Sequence, residues 1–192
     1  MIDFFILGNP RSGTSLLRLI LNNHTQVGVP PESGFLHWWY PKYKSWSVFD
    51  SRNLSSIECF VKDLATSKKI EGWGIDFTFL GVQILENEPD SYISLMRLIY
   101  TLFTKKTIVG DKNNYFINHL EEIDIISKSS KYIHIVRDGR DVACSYLKVL
   151  ELVNSDYIYL PKFSSKTNEI AIEWENNVSN IDRFLTDKVS LT

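Results

Sequence analysis

The sequence has little cysteine, almost no net charge and no long apolar run, and each lack excludes a class of protein. Its 192 residues include 2 cysteines, Cys59 and Cys144, which lie far apart without a CxxC or Cys/His cluster. We therefore expect neither a disulfide framework nor a zinc site, and a reducing compartment is the simplest interpretation. A formal net charge of −2 gives no support for nucleic-acid binding or for a membrane-surface role.

No segment resembles a membrane anchor or a targeting signal. A membrane helix needs roughly 20 apolar residues, and no stretch of the sequence approaches that length. The amino-terminal run in MIDFFILGNP is too short for the core of a signal peptide, and Asp3 precedes it instead of a basic residue. With Met1 as the start, we expect a cytoplasmic protein. With 44% hydrophobic and 23% charged residues, we expect residues 1–192 to form a single globular domain.

The chain opens with the order strand, glycine loop, helix. Residues 3–7, DFFIL, are an apolar run that ends at Gly8 and predicts a buried strand. Leucine and isoleucine then recur at helical spacing over residues 16–21. In that context the loop GNPRSGTSLL, residues 8–17, is typical of a phosphate-binding loop.

The loop differs from a nucleoside triphosphate loop in the position of its charge. A Walker loop reads G-x-x-x-x-G-K-[ST], whereas here Thr14 takes the place of the lysine and the cation is Arg11. Backbone N–H groups after Gly13, at the start of the helix, would converge on one point. The hydroxyls of Ser12, Thr14 and Ser15 add donors, and the guanidinium suits phosphate or sulfate oxygens. We therefore predict a site for a tetrahedral anion.

A second unit, KYIHIVRDGRDVACSYLKVL, repeats this design. It predicts a strand over 132–136, a turn and then a helix. Arg137 closes the strand, where ligands bind in open α/β sheets, and Ser145 lies about two helical turns further on. A salt bridge of Arg137 with Asp138 or Asp141 is an alternative role for this arginine.

Alternating strand and helix patterns predict an α/β fold with a P-loop-type parallel sheet flanked by helices on both faces. We interpret residues 27–46 as a loop or lid and expect Ser55 and Glu58 to form a capping box. Trp174 is expected in the core. The remaining predictions are helices over residues 55–65, 91–103, 116–127 and 168–186, and strands over 107–112 and from 188 in KVSLT.

These motifs resemble those of sulfotransferases that use 3′-phosphoadenosine 5′-phosphosulfate (PAPS). PRSGTSLL resembles their 5′-phosphosulfate loop, and VRDGRDVACS is similar to their 3′-phosphate motif. GDKNNYFINHLEEI is similar to the G-D-K-T-P-x-Y…H-L stretch of the bacterial and tyrosylprotein branch. The resemblance implies PAPS as co-substrate, adenosine 3′,5′-bisphosphate (PAP) as product and no metal. The cofactor-binding residues it implies are Arg11, Ser12, Gly13, Thr14, Ser15, Arg137 and Ser145.

The sequence departs from the family pattern at three places, one of which is the aromatic loop or lid over residues 27–46, which matches no part of that pattern. Asn113 and Asn114 replace the usual Thr-Pro after Asp-Lys. The chain also ends near the point where a further strand and an adenine-side loop would follow, so we expect the domain to be incomplete at its carboxyl terminus.

Sulfuryl transfer needs cations for the leaving phosphate oxygen and a base for the acceptor's proton. Arg11 is placed by its loop for the first task, and the resemblance implies that Lys112 is a second catalytic cation. A surface lysine paired with Asp111 is the alternative for Lys112. For the base, the resemblance to the tyrosylprotein branch implies Glu32, whose pKa burial would raise towards neutrality. His37 is the second candidate base.

We expect the acceptor to be a small molecule, a carbohydrate or a peptide. The sequence indicates no oligomeric state. Residues 38–46 crowd five aromatic side chains beside Glu32, where they could stack on an acceptor or pack an irregular loop. Two other functions stay open. A P-loop kinase or triphosphatase would use Ser15 and Asp111 for magnesium. An inactive nucleotide-binding module would bind PAP without transfer.

Overall fold

The structure is a computed structural model that describes residues 1–152 and 164–189. Its strands and helices follow in chain order. They are β1 (Phe4–Leu7), α1 (Thr14–Asn22), β2 (Val27–Gly28), a π-helical turn (Phe35–Trp39), α2 (Tyr40–Tyr43), α3 (Val48–Ser51), α4 (Leu54–Ala65), α5 (Lys68–Glu71), α6 (Phe77–Asn87), α7 (Tyr92–Thr104), β3 (Ile108–Lys112), a 3₁₀ turn (Asn114–Asn118), α8 (Leu120–Ile126), β4 (Lys131–His134), α9 (Gly139–Leu152) and α10 (Thr167–Val189).

The strands form one parallel sheet in the order β2-β3-β1-β4. Phe5 of β1 is in register with Asp111 of β3 and with Tyr132 of β4. Since parallel strands all end at one edge, the segments that follow β1, β3 and β4 meet there. The sheet therefore brings the glycine loop, the end of β3 and the Arg137 turn to one edge.

Helices cover both faces of this sheet, as predicted. Phe4 and Ile6 pack with Leu17 and Leu21 of α1. Phe5, on the opposite face, belongs to the large core that contains side chains of α7 and α8. Because both faces are covered, all of β1 is buried, and its sequence is a continuous apolar run rather than an alternating one.

Residues 27–46, which we predicted as a loop or lid, are irregular only in part. They contain β2, the π-helical turn and α2. Tyr43 and Trp46 are only 8% and 5% exposed, and both rings contact Phe60 of α4. Tyr92 of α7 holds the same segment by donating to the carbonyl of Phe35, 2.9 Å away. The aromatic rings lack helical periodicity, yet they bury enough surface to anchor the segment.

The end of the described chain also differs from prediction. Lys188 and Val189, expected to begin a strand, continue α10, while residues 190–192 lie outside the described residues. Lys188 forms an ion pair with Asp124 of α8, and its Nζ lies 5.4 Å from the ring centre of Tyr132. These contacts stabilise the last helical turn. The helix predicted over 116–127 is divided into the 3₁₀ turn and α8.

Helix α4 begins at a different cap from the one predicted. Ser55 and Glu58 form no capping box; instead the side chain of Asn53 accepts hydrogen bonds from the backbone N–H groups of Ser55 and Ser56. Asparagine is among the best N-cap residues because its oxygen satisfies donors that the helix leaves free. Glu58 is exposed.

The cap assignment predicts a difference between two neighbouring substitutions. Asn53→Ala removes the capping oxygen and should lower the free energy of unfolding by about 1 kcal/mol. Ser55→Ala keeps that oxygen and should change it by less than about 0.5 kcal/mol. Urea denaturation of both variants checks this. A larger loss of unfolding free energy in Ser55→Ala than in Asn53→Ala would instead support the predicted capping box of Ser55 and Glu58.

Candidate active site

The glycine loop leaves the start of α1 open. Gly13 precedes the helix with φ 100°, and no side chain caps the first turn. Its backbone N–H groups are therefore available to an anion. Ser12 is buried, and its Oγ has no hydrogen-bond partner in the described part of the chain. A buried hydroxyl without a partner is costly, so an anion in the loop would supply what this side chain lacks.

Backbone geometry in the loop is unusual at two further positions. Arg11 has φ 68°, in the left-handed region that a side chain disfavours by roughly 1–3 kcal/mol. Gly8 lies so close to the chain after β4 that a Cβ there would be 2.7 Å from the carbonyl oxygen of Ile135. Glycine is therefore required where the two predicted motifs meet.

The structure brings Arg137 and Ser145 to this loop. The Nε of Arg11 donates to Ser145 Oγ at 2.9 Å, and an Nη of Arg137 donates to the carbonyl of Arg11 at 3.1 Å. Arg137 also lies 3.7 Å from Asp141, in an exposed ion pair of the kind that contributes little. Asp138, the other predicted partner, pairs with Arg140.

Asn9, Tyr146 and Asn177, to which the sequence analysis assigned no role, hold the loop against α9 and α10. Asn9 is 1% exposed and donates to the hydroxyl of Tyr146 at 3.2 Å. Asn177 donates to Asn9 at 2.7 Å. Trp174 is half-buried rather than fully in the core, and its indole N–H donates to the carbonyl of Arg137 at 3.0 Å. No local pattern marks these residues, because their partners are distant in sequence.

Lys112 is buried, so the alternative of a surface lysine paired with Asp111 is wrong. Its side chain is 5% exposed, and its Nζ lies 2.7 Å from an oxygen of Glu32. The other oxygen of Glu32 lies 3.3 Å from Nζ of Lys69, a residue of α5 that the sequence analysis missed. Lys112 is the last residue of β3 and is in register with Ile6 of β1. It therefore lies at the sheet edge where the glycine loop starts. Glu32 is therefore a carboxylate between two cations.

These cations shift the pKa of Glu32 in the direction opposite to the one expected. Burial alone raises the pKa, but the charge and hydrogen bond of Lys112, followed by those of Lys69, outweigh burial and lower the pKa below 4.5. The expectation of a pKa raised towards neutrality is thus wrong for this arrangement. Glu32 is ionised at neutral pH, as a proton acceptor must be, but the ion pairs make it a weak base.

His37, the second candidate base, lies in a stack of rings beside Glu32. The ring centres of His37 and Tyr115 are 4.1 Å apart. The ring of Tyr115 also stacks on the imidazole of His119, with ring centres 4.0 Å apart. Burial, followed by the charges of Lys69 and His119, lowers the pKa of His37 to about 4. Tyr115 and the neighbouring Trp38 remain 40% and 50% exposed. An aromatic surface therefore adjoins the carboxylate.

Two absences apply to residues 1–152 and 164–189. In these ranges no three His, Cys, Asp or Glu side chains are grouped as metal ligands would be. In the same ranges, no helix combines the length and apolar character needed to cross a bilayer.

Comparison with known proteins identifies related folds. The model of a family described as "Sulfotransferase family" matches residues 3–189. No curated protein gives a match. Among solved structures, the chain is similar to the Sulfotransferase Domain from the Curacin Biosynthetic Pathway, with a TM-score of 0.56 and 22% identity over 97% of this chain and 63% of that one. It is also similar to the Sulfotransferase Domain from the Synechococcus PCC 7002 Olefin Synthase, with a TM-score of 0.55 and 20% identity over 94% of this chain and 60% of that one. The chain thus spans less than two thirds of either structure, and the likeness shows the fold.

The pKa of His37 predicts its titration. The unfolded chain binds a proton near pH 6.5, but the folded protein does so only near pH 4, so the free energy of unfolding should fall as the pH decreases between these values. NMR of the His37 imidazole should show a neutral ring at pH 5. In Lys69→Met the midpoint should rise yet stay below 6.5, because burial is the largest cause. A wild-type midpoint near 6.5 would contradict the buried position.

Proposed function

The chain belongs to the sulfotransferase family, and from this premise we propose that it transfers the sulfuryl group of PAPS to a hydroxyl or amine acceptor. One observation carries the proposal: Arg11 of the glycine loop reaches Ser145 of the second motif at 2.9 Å. PAPS carries anionic groups at both ends of its ribose, so two neighbouring anion sites fit it better than they fit a single triphosphate. The bacterial and tyrosylprotein branch remains our prediction.

We assign the two ends of the donor to the two motifs. The N–H groups at the start of α1, the guanidinium of Arg11 and the hydroxyls of Ser12, Thr14 and Ser15 would hold the 5′-phosphosulfate. Arg137 and Ser145 would hold the 3′-phosphate. The bound donor would then join the two motifs, and its anionic groups would replace the hydrogen bond between Arg11 and Ser145. The donor's charge needs no metal in this arrangement, since the cations come from the chain.

The transfer itself would use Glu32, Lys112 and Arg11. The acceptor oxygen attacks sulfur while the bond from sulfur to the phosphate oxygen breaks, and PAP leaves. Glu32 takes the acceptor's proton, and the two cations stabilise the charge that develops on the leaving oxygen. As Lys112 turns from Glu32 to the donor, Glu32 loses its strongest partner, so its pKa rises and it becomes a better base.

The kinase or triphosphatase alternative has less support. Asp111, its candidate magnesium residue, is 2% exposed and accepts a hydrogen bond from Tyr100. Burial raises the pKa of Asp111 to about 7, and the hydrogen bond from Tyr100 occupies one of its two oxygens. We also propose a cytoplasmic location, supported by Cys59 and Cys144, which are both free and exposed. A small molecule, a carbohydrate or a peptide remains the proposed acceptor.

Calorimetric titration with PAP tests the donor assignment. Arg137→Ala should weaken PAP binding and raise the KM for PAPS about 10- to 100-fold, because a charge-assisted contact is lost. Arg140→Ala is the matched control, since Arg140 is 91% exposed and pairs with Asp138. It should bind PAP like the wild type. Preference of the wild type for ATP with magnesium would overturn the assignment, and PAP binding without transfer would indicate an inactive module.

The base is tested by comparing two substitutions. Glu32→Gln should lower kcat about 10²- to 10⁴-fold with PAP affinity nearly kept, because the proton acceptor is removed while the donor-binding motifs are unchanged. His37→Gln should retain most of kcat. Steady-state kinetics with PAPS measure both. A larger fall of kcat in His37→Gln than in Glu32→Gln would indicate that His37 is the base.

A further inference from the structure

Glu32 and Ser33 are joined to the last two residues of β3 on opposite faces of the sheet, Glu32 directly and Ser33 through Tyr100. Successive side chains of a strand point to opposite faces, so Asp111 and Lys112 lie on different faces of the sheet. Lys112 is on the α1 face and pairs with Glu32 at 2.7 Å. Asp111 is on the α7 face, where Tyr100 links it to Ser33. The dipeptide Glu32-Ser33 therefore straddles the end of the strand.

The link on the α7 face is a directed chain of hydrogen bonds. Tyr100 donates to Oδ2 of Asp111 at 2.8 Å, and its oxygen lies 2.8 Å from Oγ of Ser33. Since the tyrosine proton points to the carboxylate, Ser33 must donate to Tyr100. Ser33 in turn accepts from the backbone N–H of Phe35 at 3.2 Å. The chain of donors ends at Asp111.

This network is buried in the apolar core. Tyr100, Ser33 and Asp111 are 0%, 1% and 2% exposed. The second carboxylate oxygen of Asp111 has no hydrogen-bond partner in the described part of the chain, and a buried polar atom without a partner is costly. Replacing partly satisfied buried polar groups by apolar packing is often neutral or stabilising, so stability alone does not account for the network.

We propose that Tyr100 is a positioning residue for Glu32 and acts through Ser33, with Asp111 as its anchor. This inference rests on the proposed function of Glu32. A fixed Ser33 restricts the backbone that carries Glu32, and the carboxylate is thereby held within reach of Lys112. Without the tyrosine hydroxyl, Ser33 loses its link to β3, and the carboxylate samples positions from which it meets neither Lys112 nor the acceptor's proton.

Tyr100→Phe removes the link and keeps the ring. We expect kcat to fall about 10-fold, with the KM for PAPS and the affinity for PAP unchanged, because the donor motifs lie on other elements. The matched control is Tyr132→Phe in β4, a half-buried tyrosine whose hydroxyl donates to Asp124 of α8 at 3.0 Å and takes no part in the network. It should retain the wild-type kcat. An unchanged kcat in Tyr100→Phe would overturn the proposal.

A second measurement needs neither donor nor acceptor. In a carboxyl ¹³C NMR titration, the pKa of Glu32 should rise towards its ordinary value in Tyr100→Phe, because the ion pair with Lys112 is loosened. It should not change in Tyr132→Phe. If the wild type neither binds PAP nor transfers, a shift in Tyr100→Phe would still support the positioning role while the proposed function fails. If the wild type transfers and neither kcat nor this pKa changes, only the positioning role fails.

Ser33→Ala covers the case in which Tyr100→Phe does not fold. It breaks the same link but leaves the tyrosine bonded to Asp111, so it should lower kcat by a similar factor. Where both variants fold, the double variant should be no slower than the slower single variant, since each removes the same connection. Additive losses in kcat would contradict a shared link.

Discussion

Parallel pairing of β1 with both β3 and β4 is the constraint on which the candidate site depends. β1 lies between them, so three strands end at one sheet edge. The glycine loop, Lys112 and Arg137 each follow or finish one of these strands. Were any strand antiparallel, its functional residue would lie at the opposite edge of the sheet, and no loop could recover the arrangement.

Electrostatics at that edge explain how one carboxylate coexists with several cations. Lys112 is nearly buried, and an isolated buried charge would be costly. Glu32 supplies its counter-charge, and Lys69 shares the same carboxylate. In the proposed mechanism the pair also limits Glu32 as a base until another anion attracts the lysine. Donor binding and activation of the base are thus physically coupled in the proposed mechanism.

The aromatic segment after β2 serves both packing and the site. Tyr43 and Trp46 are core residues, which fixes the course of the chain next to Glu32. Trp38 of this segment keeps much of its surface exposed beside the carboxylate, as does Tyr115 of the 3₁₀ turn after β3. One cluster thus anchors an irregular segment and presents flat rings where an acceptor would approach.

The sequence by itself determined the class of fold and the positions of the two loops that we propose bind the donor, because these depend on short-range patterns. An apolar run before Gly8 and helical spacing after it were enough to predict β1, the loop and α1, and the same applied to β4 and α9. Tertiary structure alone decided the electrostatic and buried partners. Lys69, Asn9 and Tyr100 come from distant elements, and no periodicity near them marks a role. The low pKa of Glu32 and the core position of Tyr43 likewise follow from neighbours brought together by folding, since charge and burial act through space and not along the chain.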